Sequence, residues 1–363
     1  MTSKYETFEG YTNEELLALR NASLRSLDTT HYANIAQTGT GFLAFVTNIV
    51  VVTVICYSQQ LRDTTCFMLV GQLGVADCWV GASYLFTGLK RIIRRAYEWD
   101  EVATQRWCCA EMWISYFGMD ASITLAIAVG VDRVLAIFMP IKYNLPQTRT
   151  LAIRMSVFFW LYALLDSALM FYGVSNSKLI PNCYIVSSVT QVYYDVQSWH
   201  KLALVSLIFL LYVGIMLSIF VRIEIAKRRQ ENVYEIKRKI GVKLARMLAV
   251  VSFLYLITQN LSRVLMAMIA RLSATDRGNY GPYFRNIIIL NSGINLFVYY
   301  WMSSEFRAAL NRQCVKWFLN RKPAPAAATP AATAGGTRNA AAVVQAATTQ
   351  HHRLGKEAWK TDI

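Results

Sequence analysis

Residues 202–221 read LALVSLIFLLYVGIMLSIFV, twenty residues in a row without a charge. As a helix rising about 1.5 Å per residue, such a run covers about 30 Å, the thickness of a bilayer's hydrocarbon core. A helix on the surface of a water-soluble domain needs an apolar stripe, whereas this run is apolar all round. The stretch is built for lipid. Reading outward from it, we find that it belongs to one of seven such spans, at about 35–57, 66–89, 108–138, 151–172, 200–225, 244–270 and 283–303.

The composition agrees with that reading. Of 363 residues, 55% are hydrophobic and 16% charged, whereas an ordinary soluble chain is roughly 25% charged. A soluble chain of this length would divide into about two domains. The expected fold is instead all-α, a seven-transmembrane helix bundle over residues 35–303 with residues 1–34 as an N-terminal tail. The first 34 residues contain no apolar run followed by a cleavage pattern, so the first span is expected to be its own uncleaved anchor.

An odd number of spans puts the two termini on opposite sides. The formal charge of +15 could by itself mean nucleic acid, an acidic ligand or a membrane surface. Most of the excess falls on segments that are cytosolic if the N-terminus is outside, which satisfies the positive-inside rule. Lys227, Arg228, Arg229, Lys237, Arg238 and Lys239 cluster between the fifth and sixth spans. They read either as a stop signal at the lipid surface or as a docking face for a cytosolic partner. The charge is therefore an address, and says nothing for nucleic acid. Lys90, Arg91, Arg94 and Arg95 break the rule on the outer side. Extension of the second helix above the membrane is the preferred explanation, and attraction of an acidic ligand the other.

An ionisable side chain near a helix centre costs at least about 2.5–3.5 kcal/mol on insertion scales, so each one asks for a partner or a cavity. Asp77 lies at the midpoint of the second span. Asn48, Ser122, Asn291, Ser292 and Asn295 lie near the midpoints of the first, third and seventh spans. Asn291 and Asn295 are four apart and share one helical face. One polar cluster joining four helices follows from depth alone. It reads either as interhelical hydrogen bonds, worth about 0.6 kcal/mol each, or as a hydrated cation site with Asp77 supplying the charge. Asp120 and Asp166 lie in the third and fourth spans, with Glu111 near the outer end of the third. They could line a cavity, share a proton or bond to Tyr and Trp neighbours, and Arg263 and Arg285 are placed to pair with them.

Of seven cysteines, Cys56, Cys66 and Cys78 read as small apolar fillers. Cys108, Cys109 and Cys183 lie on the outer, oxidising side, where a bridge persists, and one from Cys183 to the top of the third helix would pin the long second outer loop over the bundle mouth. Cys314, near Trp317 and Phe318, is a candidate palmitoylation site. Asn21-Ala22-Ser23 forms a glycosylation sequon on the side expected to be outside. Beyond Leu319 the composition turns to Pro, Ala, Thr and Gly. Residues 320–363 are expected to be a disordered cytosolic tail, with Thr329, Thr333, Thr337, Thr348 and Thr349 open to phosphorylation.

Across about Asn48 to Phe306 the chain resembles a rhodopsin-like, class A G-protein-coupled receptor. The matching marks are Asn48 and Val51; Leu73, Ala76 and Asp77; Cys108, Asp132 and Arg133; Trp160; Asn291, Ser292, Asn295 and Tyr299; and Phe306. Cys108 and Arg133 stand 25 residues apart, enough to reach from one bilayer face to the other. The run from Val131 to Ile137 followed by Pro140-Ile141-Lys142-Tyr143 is similar to the nematode serpentine chemoreceptors of the srsx group.

The resemblance implies a short amphipathic eighth helix over 304–319 and a Cys108–Cys183 disulfide. It implies an extracellular ligand taken into the bundle and a heterotrimeric G protein coupled through Asp132, Arg133, Tyr212, Asn295 and Tyr299. By position, the pocket would be lined by Glu111, Ser115, Tyr116, Met119, Asp120, Asp166, Ile257, Asn260 and Arg285. Na⁺ would be held by Asp77, Ser122, Asn291, Ser292 and Asn295, and arrestin and a receptor kinase would act at the tail. The expected place is the plasma membrane, multi-pass, with the N-terminus extracellular among membrane lipids. A chemosensory or orphan receptor is the main reading, and a neuropeptide receptor of the same fold the alternative.

The departures matter as well. Leu296 stands where the family's seventh-helix proline is expected, and alignment on Phe253 puts Ile257 at the usual sixth-helix Trp and Gln259 at the usual Pro. The prolines, including Pro140, Pro146, Pro181 and Pro282, fall outside the expected spans, so the usual cause of sharp helix bends is missing. Ser115 replaces the Asp of amine receptors. Basic Lys239 stands where an acid often holds Arg133.

A channel or transporter is the reading from another class, and predicts solute flux. A retinal receptor would need a lysine in the seventh span, which has none. An enzyme is not expected: the four histidines, His31, His200, His351 and His352, are not deep in a span. No metal-ligand or nucleophile motif accompanies them.

Overall fold

A computed structural model describes residues 10–139, 148–228, 250, 253–254, 256–262, 264–265, 268 and 274–319. The long helices are α1 (Asn13–Thr29), α2 (His31–Tyr57), α3 (Thr65–Ala96), α4 (Gln105–Phe138), α5 (Thr148–Ala168), α6 (Gln191–Arg228), α7 (Ala274–Met302) and α8 (Ser304–Leu319). Residues up to Leu310 form one compact unit, and the end of α8 belongs to a second. Among the described residues, α2, α3, α4, α6 and the stretch Thr150–Phe171, which takes in α5, are long and apolar enough to cross a membrane. The sixth expected span is described only in part, with a π-helical turn at Leu256–Leu261.

Much of residues 1–34 is helical, because Thr12 and Glu15 form a reciprocal capping box that satisfies the first exposed N–H groups of α1. The backbone N–H and hydroxyl of Thr12 both bond the Glu15 carboxylate and hold it below its ordinary range. The first membrane helix then begins at His31. The seventh begins well before residue 283, which puts Pro282 inside α7. Proline has no N–H to donate to the carbonyl four residues back, so α7 does hold a helix-weakening residue, although not at Leu296, where the family's proline is expected.

α2 and α3 approach through glycine. A Cβ added to Gly81 would lie 2.4 Å from the Phe45 backbone N, and one on Gly41 would lie 2.6 Å from that of Leu85. Only residues without side chains let the two backbones come so near, and in lipid such close packing replaces the hydrophobic effect as the force between helices. α4 is the hub. Of its most apolar window, 72% is buried, against 28% for α6 and 22% for the α5 span. Its Ile123, Ala126 and Ile127 pack on Val205, Ile208, Tyr212, Ile215 and Ile219 of α6. At the end that the sequence reading places inside, Phe306 is fully buried among Val51, Val54, Ile55, Leu61 and Val70.

At the end of the bundle that the sequence reading places outside, α3 does run on to Ala96, and its basic cluster is tied into the fold. Cys108 is bonded to Cys183, beside an antiparallel ladder between β1 (Ala103–Thr104) and β2 (Leu179–Ile180). Arg91 is buried, donates to the Cys183 carbonyl at 2.7 Å and lies 4.1 Å from the Tyr184 ring centre. Arg94 bonds the Asp100 carbonyl, and Arg95 pairs with Asp28 of α1. The Glu101 N–H donates to the Ser23 hydroxyl and the Leu179 N–H to the Tyr11 hydroxyl. The N-terminal segment is thus tied to both loops, through Ser23 of α1 and through Tyr11 before it.

Gly81→Ala is expected to destabilise the protein by about 1–3 kcal/mol or more, as overpacking does. Gly39→Ala, whose added Cβ meets nothing within 4 Å, is expected to leave stability unchanged. Thermal unfolding of the purified variants checks the pair.

Candidate functional site

The mid-membrane cluster assembles around Asp77 of α3, which is 1% exposed. The Ser122 hydroxyl of α4 and the Ser292 hydroxyl of α7 both donate to its Oδ1, at 2.7 and 2.8 Å. The Asn295 amide donates to Oδ2 at 2.7 Å. Asn48 of α2 joins through its amide, which donates to the Ser292 carbonyl at 2.8 Å. Asn291 differs from the expectation: its side-chain oxygen accepts from Thr258 at 3.1 Å, so it ties α7 to the sixth span. A cavity of about 20 Å³ adjoins the cluster, lined by Ser122, Ser292, Gln259 and apolar neighbours. The donor set of one carboxylate, hydroxyls and amide carbonyls is the hard-oxygen chemistry that a group-one cation accepts. The residues present therefore fit Na⁺.

At the inner end of α4 the Arg133 guanidinium donates twice to Asp132 Oδ2, at 3.1 and 2.6 Å. Asp132 is buried and Arg133 half-buried. Tyr212 packs in the α4–α6 core, and the Tyr299 ring lies 6.0 Å from that of Phe306. Lys239, and with it any view of what it faces, lies outside the described residues, as do most of the basic inner-loop cluster and the threonines of the tail.

Towards the outer side, Asp120 of α4 and Lys201 of α6 form an ion pair in which the two side chains are 2% and 3% exposed. The Lys201 ammonium also lies 3.2 Å from the Tyr116 ring centre, a cation–π contact strengthened by its dry surroundings. Next to it, His200 sits 3.7 Å from Asp166, 2.7 Å from the Tyr162 hydroxyl and 2.8 Å from Gln197. The Tyr193 ring lies 6.4 Å from that of Tyr116. Glu111 pairs with Lys90 at 2.5 Å. Ser115 is buried, and the Met119 sulfur accepts from the Tyr84 hydroxyl. Arg285 is buried on α7, and among the described residues no carboxylate lies in ion-pair range of it.

Two expectations about this region need correction. Arg285 does not pair with Asp120 or Asp166, because Lys201 and His200 occupy them; Arg263 lies outside the described residues. Lys201 was missed because the fifth span was drawn from residue 200, at the water boundary. α6 starts at Gln191, so Lys201 lies almost three turns inside it. Ile257 does not face the bundle: it is exposed, whereas Thr258 and Gln259 are buried. The π-helical turn holds more residues than an α-turn and so shifts which side chains point inward. Of Asn260 only the backbone is described.

The outer marks are simpler. Cys109 is buried with its thiol near the Met170 carbonyl, so Cys108 is the bridged partner of Cys183. Asn21 is exposed on α1, while the Ser23 hydroxyl of the sequon is buried. Cys314 is a free thiol of α8.

The model of the 7 transmembrane receptor (rhodopsin family) matches residues 47–299. The thyrotropin-releasing hormone receptor of Gallus gallus is 28% identical over 306 residues, covering 75% of each chain. That of Homo sapiens is 25% identical over 305 residues, again 75% of each. G-protein coupled receptor 12 of Mus musculus is 27% identical over 192 residues, 52% of each. These similarities are to receptors and not to enzymes. They support the broad resemblance, not the nematode srsx group or a chemosensory role.

Asp120→Asn or Lys201→Met alone leaves a buried charge without its partner and is expected to destabilise by about 3–5 kcal/mol. The double substitution is expected to recover most of that loss. Thermal unfolding of the three variants, read as a double-mutant cycle, measures the coupling.

Proposed function

The chain belongs to the rhodopsin family of seven-transmembrane receptors, and we propose that within it the protein is a peptide receptor that activates a heterotrimeric G protein. The buried polar groups in the bundle's outer half carry this reading: the Asp120–Lys201 pair with Tyr116 against it, and Arg285 without a carboxylate partner among the described residues. A small apolar odorant would leave these groups desolvated and unused. A short peptide brings backbone carbonyls and N–H groups that can meet them. The names of the relatives point the same way, since thyrotropin-releasing hormone is the ligand their receptors are named for.

Activation, in this proposal, moves the inner ends of α6 and the sixth span apart. The ligand works only through its differential affinity for the two arrangements, and about 5.5 kcal/mol carries the population from 1:99 to 99:1. Asp132 holds Arg133 in the resting arrangement, and releasing Arg133 to the G protein completes the change, with Tyr212 and Tyr299 moving towards it. The Asp77 cluster joins α2, α3, α4 and α7 between the two ends. Na⁺ is proposed to be held there by Asp77, Ser122, Ser292, Asn295 and Asn291, and its charge would favour the resting arrangement. The proposed orientation places the N-terminus and Asn21 outside. Arrestin and a receptor kinase would act at the cytosolic tail.

The proposal is tested in cells carrying a promiscuous G protein. Short peptides, thyrotropin-releasing hormone among them, are screened beside volatile compounds. At least one peptide is expected to act, and Arg285→Gln to lower its potency roughly tenfold, the loss of one charge-assisted hydrogen bond, at unchanged surface level. A response to volatiles alone contradicts it. Because Lys239 offers Arg133 no acidic partner, ligand-free cells expressing the protein are also expected to signal above cells lacking it.

A further inference from the structure

Gln259 stands where the family's usual pattern has a proline, and its two polar ends have different fates. The amide Nε2 donates to the Ile288 carbonyl at 3.3 Å, which fixes the orientation of the group. The carbonyl Oε1 is buried and has no hydrogen-bond partner among the described residues. Such an acceptor costs about 1–3 kcal/mol if it stays unsatisfied, so its surroundings should offer it something.

Those surroundings are the cavity of about 20 Å³ beside the Asp77 cluster, with room for about one water-sized guest. Its other polar walls are Ser122 and Ser292. Both hydroxyl protons are committed to Asp77 Oδ1, so the capacity left on these oxygens is to accept. Val80, Met119, Ile123, Ile288 and Ile289 supply the rest of the lining. The cavity thus gathers oxygen acceptors, keeps a carboxylate behind two of them, and is otherwise apolar. That is the environment of a cation, since a neutral donor would leave the Asp77 charge uncompensated.

We propose that Gln259 is an additional oxygen ligand of the cation at Asp77, contributed by the sixth span through its side-chain carbonyl. This rests on the proposed Na⁺ site, whose ligands come from α3, α4 and α7, and extends it to the sixth span. It also couples the cation to the segment whose movement opens the inner end, because a ligand drawn from the π-helical turn restrains that turn while the ion is bound.

The test uses the purified full-length protein in nanodiscs, with thermal unfolding followed in sodium chloride and in choline chloride at matched ionic strength. The wild type is expected to be stabilised by sodium over choline in a saturable way, and Asp77→Asn to lose that response. Gln259→Leu is expected to raise the half-saturating sodium concentration roughly tenfold, the size of one lost charge-assisted contact. Gln259→Glu, which keeps the oxygen and adds a charge, is expected to lower it. If the wild type does not distinguish sodium from choline, the Na⁺ site itself fails, and this inference with it. If the wild type responds and Gln259→Leu titrates like it, the site stands and Gln259 is not a ligand. Should the Leu variant not fold, Gln259→Glu decides, and an unshifted titration overturns the proposal.

Discussion

A carboxylate at the centre of a bilayer has to be compensated, and Asp77 meets that requirement by drawing α4 and α7 to α3. Two hydroxyls and one amide converge on it, and Asn48 extends the network to α2 by holding the Ser292 carbonyl. The glycine contact between α2 and α3 makes this geometry reachable, since the backbones approach to distances that a single methyl group would prevent. Lipid tails give helices no hydrophobic reason to associate, so close packing and buried polar bonds share that work. The order of the helices around α4 follows from both.

The same requirement shapes the outer half. Lys201 and Asp120 neutralise each other in the dry interior between α6 and α4, and Arg91 pairs with Glu101 at 3.7 Å while it donates to the Cys183 carbonyl and lies over the Tyr184 ring. Each buried cation is matched to a nearby group on another element, so the charges fix how helices and loops meet. Arg285 stands apart, buried on α7 with no carboxylate in ion-pair range among the described residues. In a bundle where charge is otherwise matched, that difference is what the proposed peptide ligand would meet. The N-terminal segment adds to this end, because α1 bonds Glu101 and Arg95 while Tyr11 before it bonds Leu179 of the disulfide-bridged loop.

Much of this could be read from depth in the sequence. The mid-span positions of Asp77, Ser122, Ser292 and Asn295 predicted their meeting, because a polar group in lipid has few other places to go. Helical phase and helix ends were harder. The six-residue π-helical turn exchanges Ile257 for Thr258 and Gln259 on the inner face, and a 3.6-residue period cannot foresee it. Lys201 looked like a boundary residue because hydropathy marks where apolar residues stop, whereas α6 continues upward through polar ones. Pro282 was misplaced for the same reason. α1 was legible but unread: Thr12 and Glu15 have the capping-box spacing, which is a stronger sign of helix than the absence of an apolar run is of coil.

The account has a buried polar network transmitting a ligand's preference to Arg133 and so to a G protein. Its most direct test is nucleotide exchange on a purified heterotrimer, with the full-length protein in nanodiscs. The protein is predicted to accelerate exchange above empty nanodiscs, and Arg133→Ala to remove that acceleration at an equal amount of folded protein in the discs. Exchange at the rate of empty nanodiscs, together with ion or solute flux across vesicles holding the same protein, would contradict it.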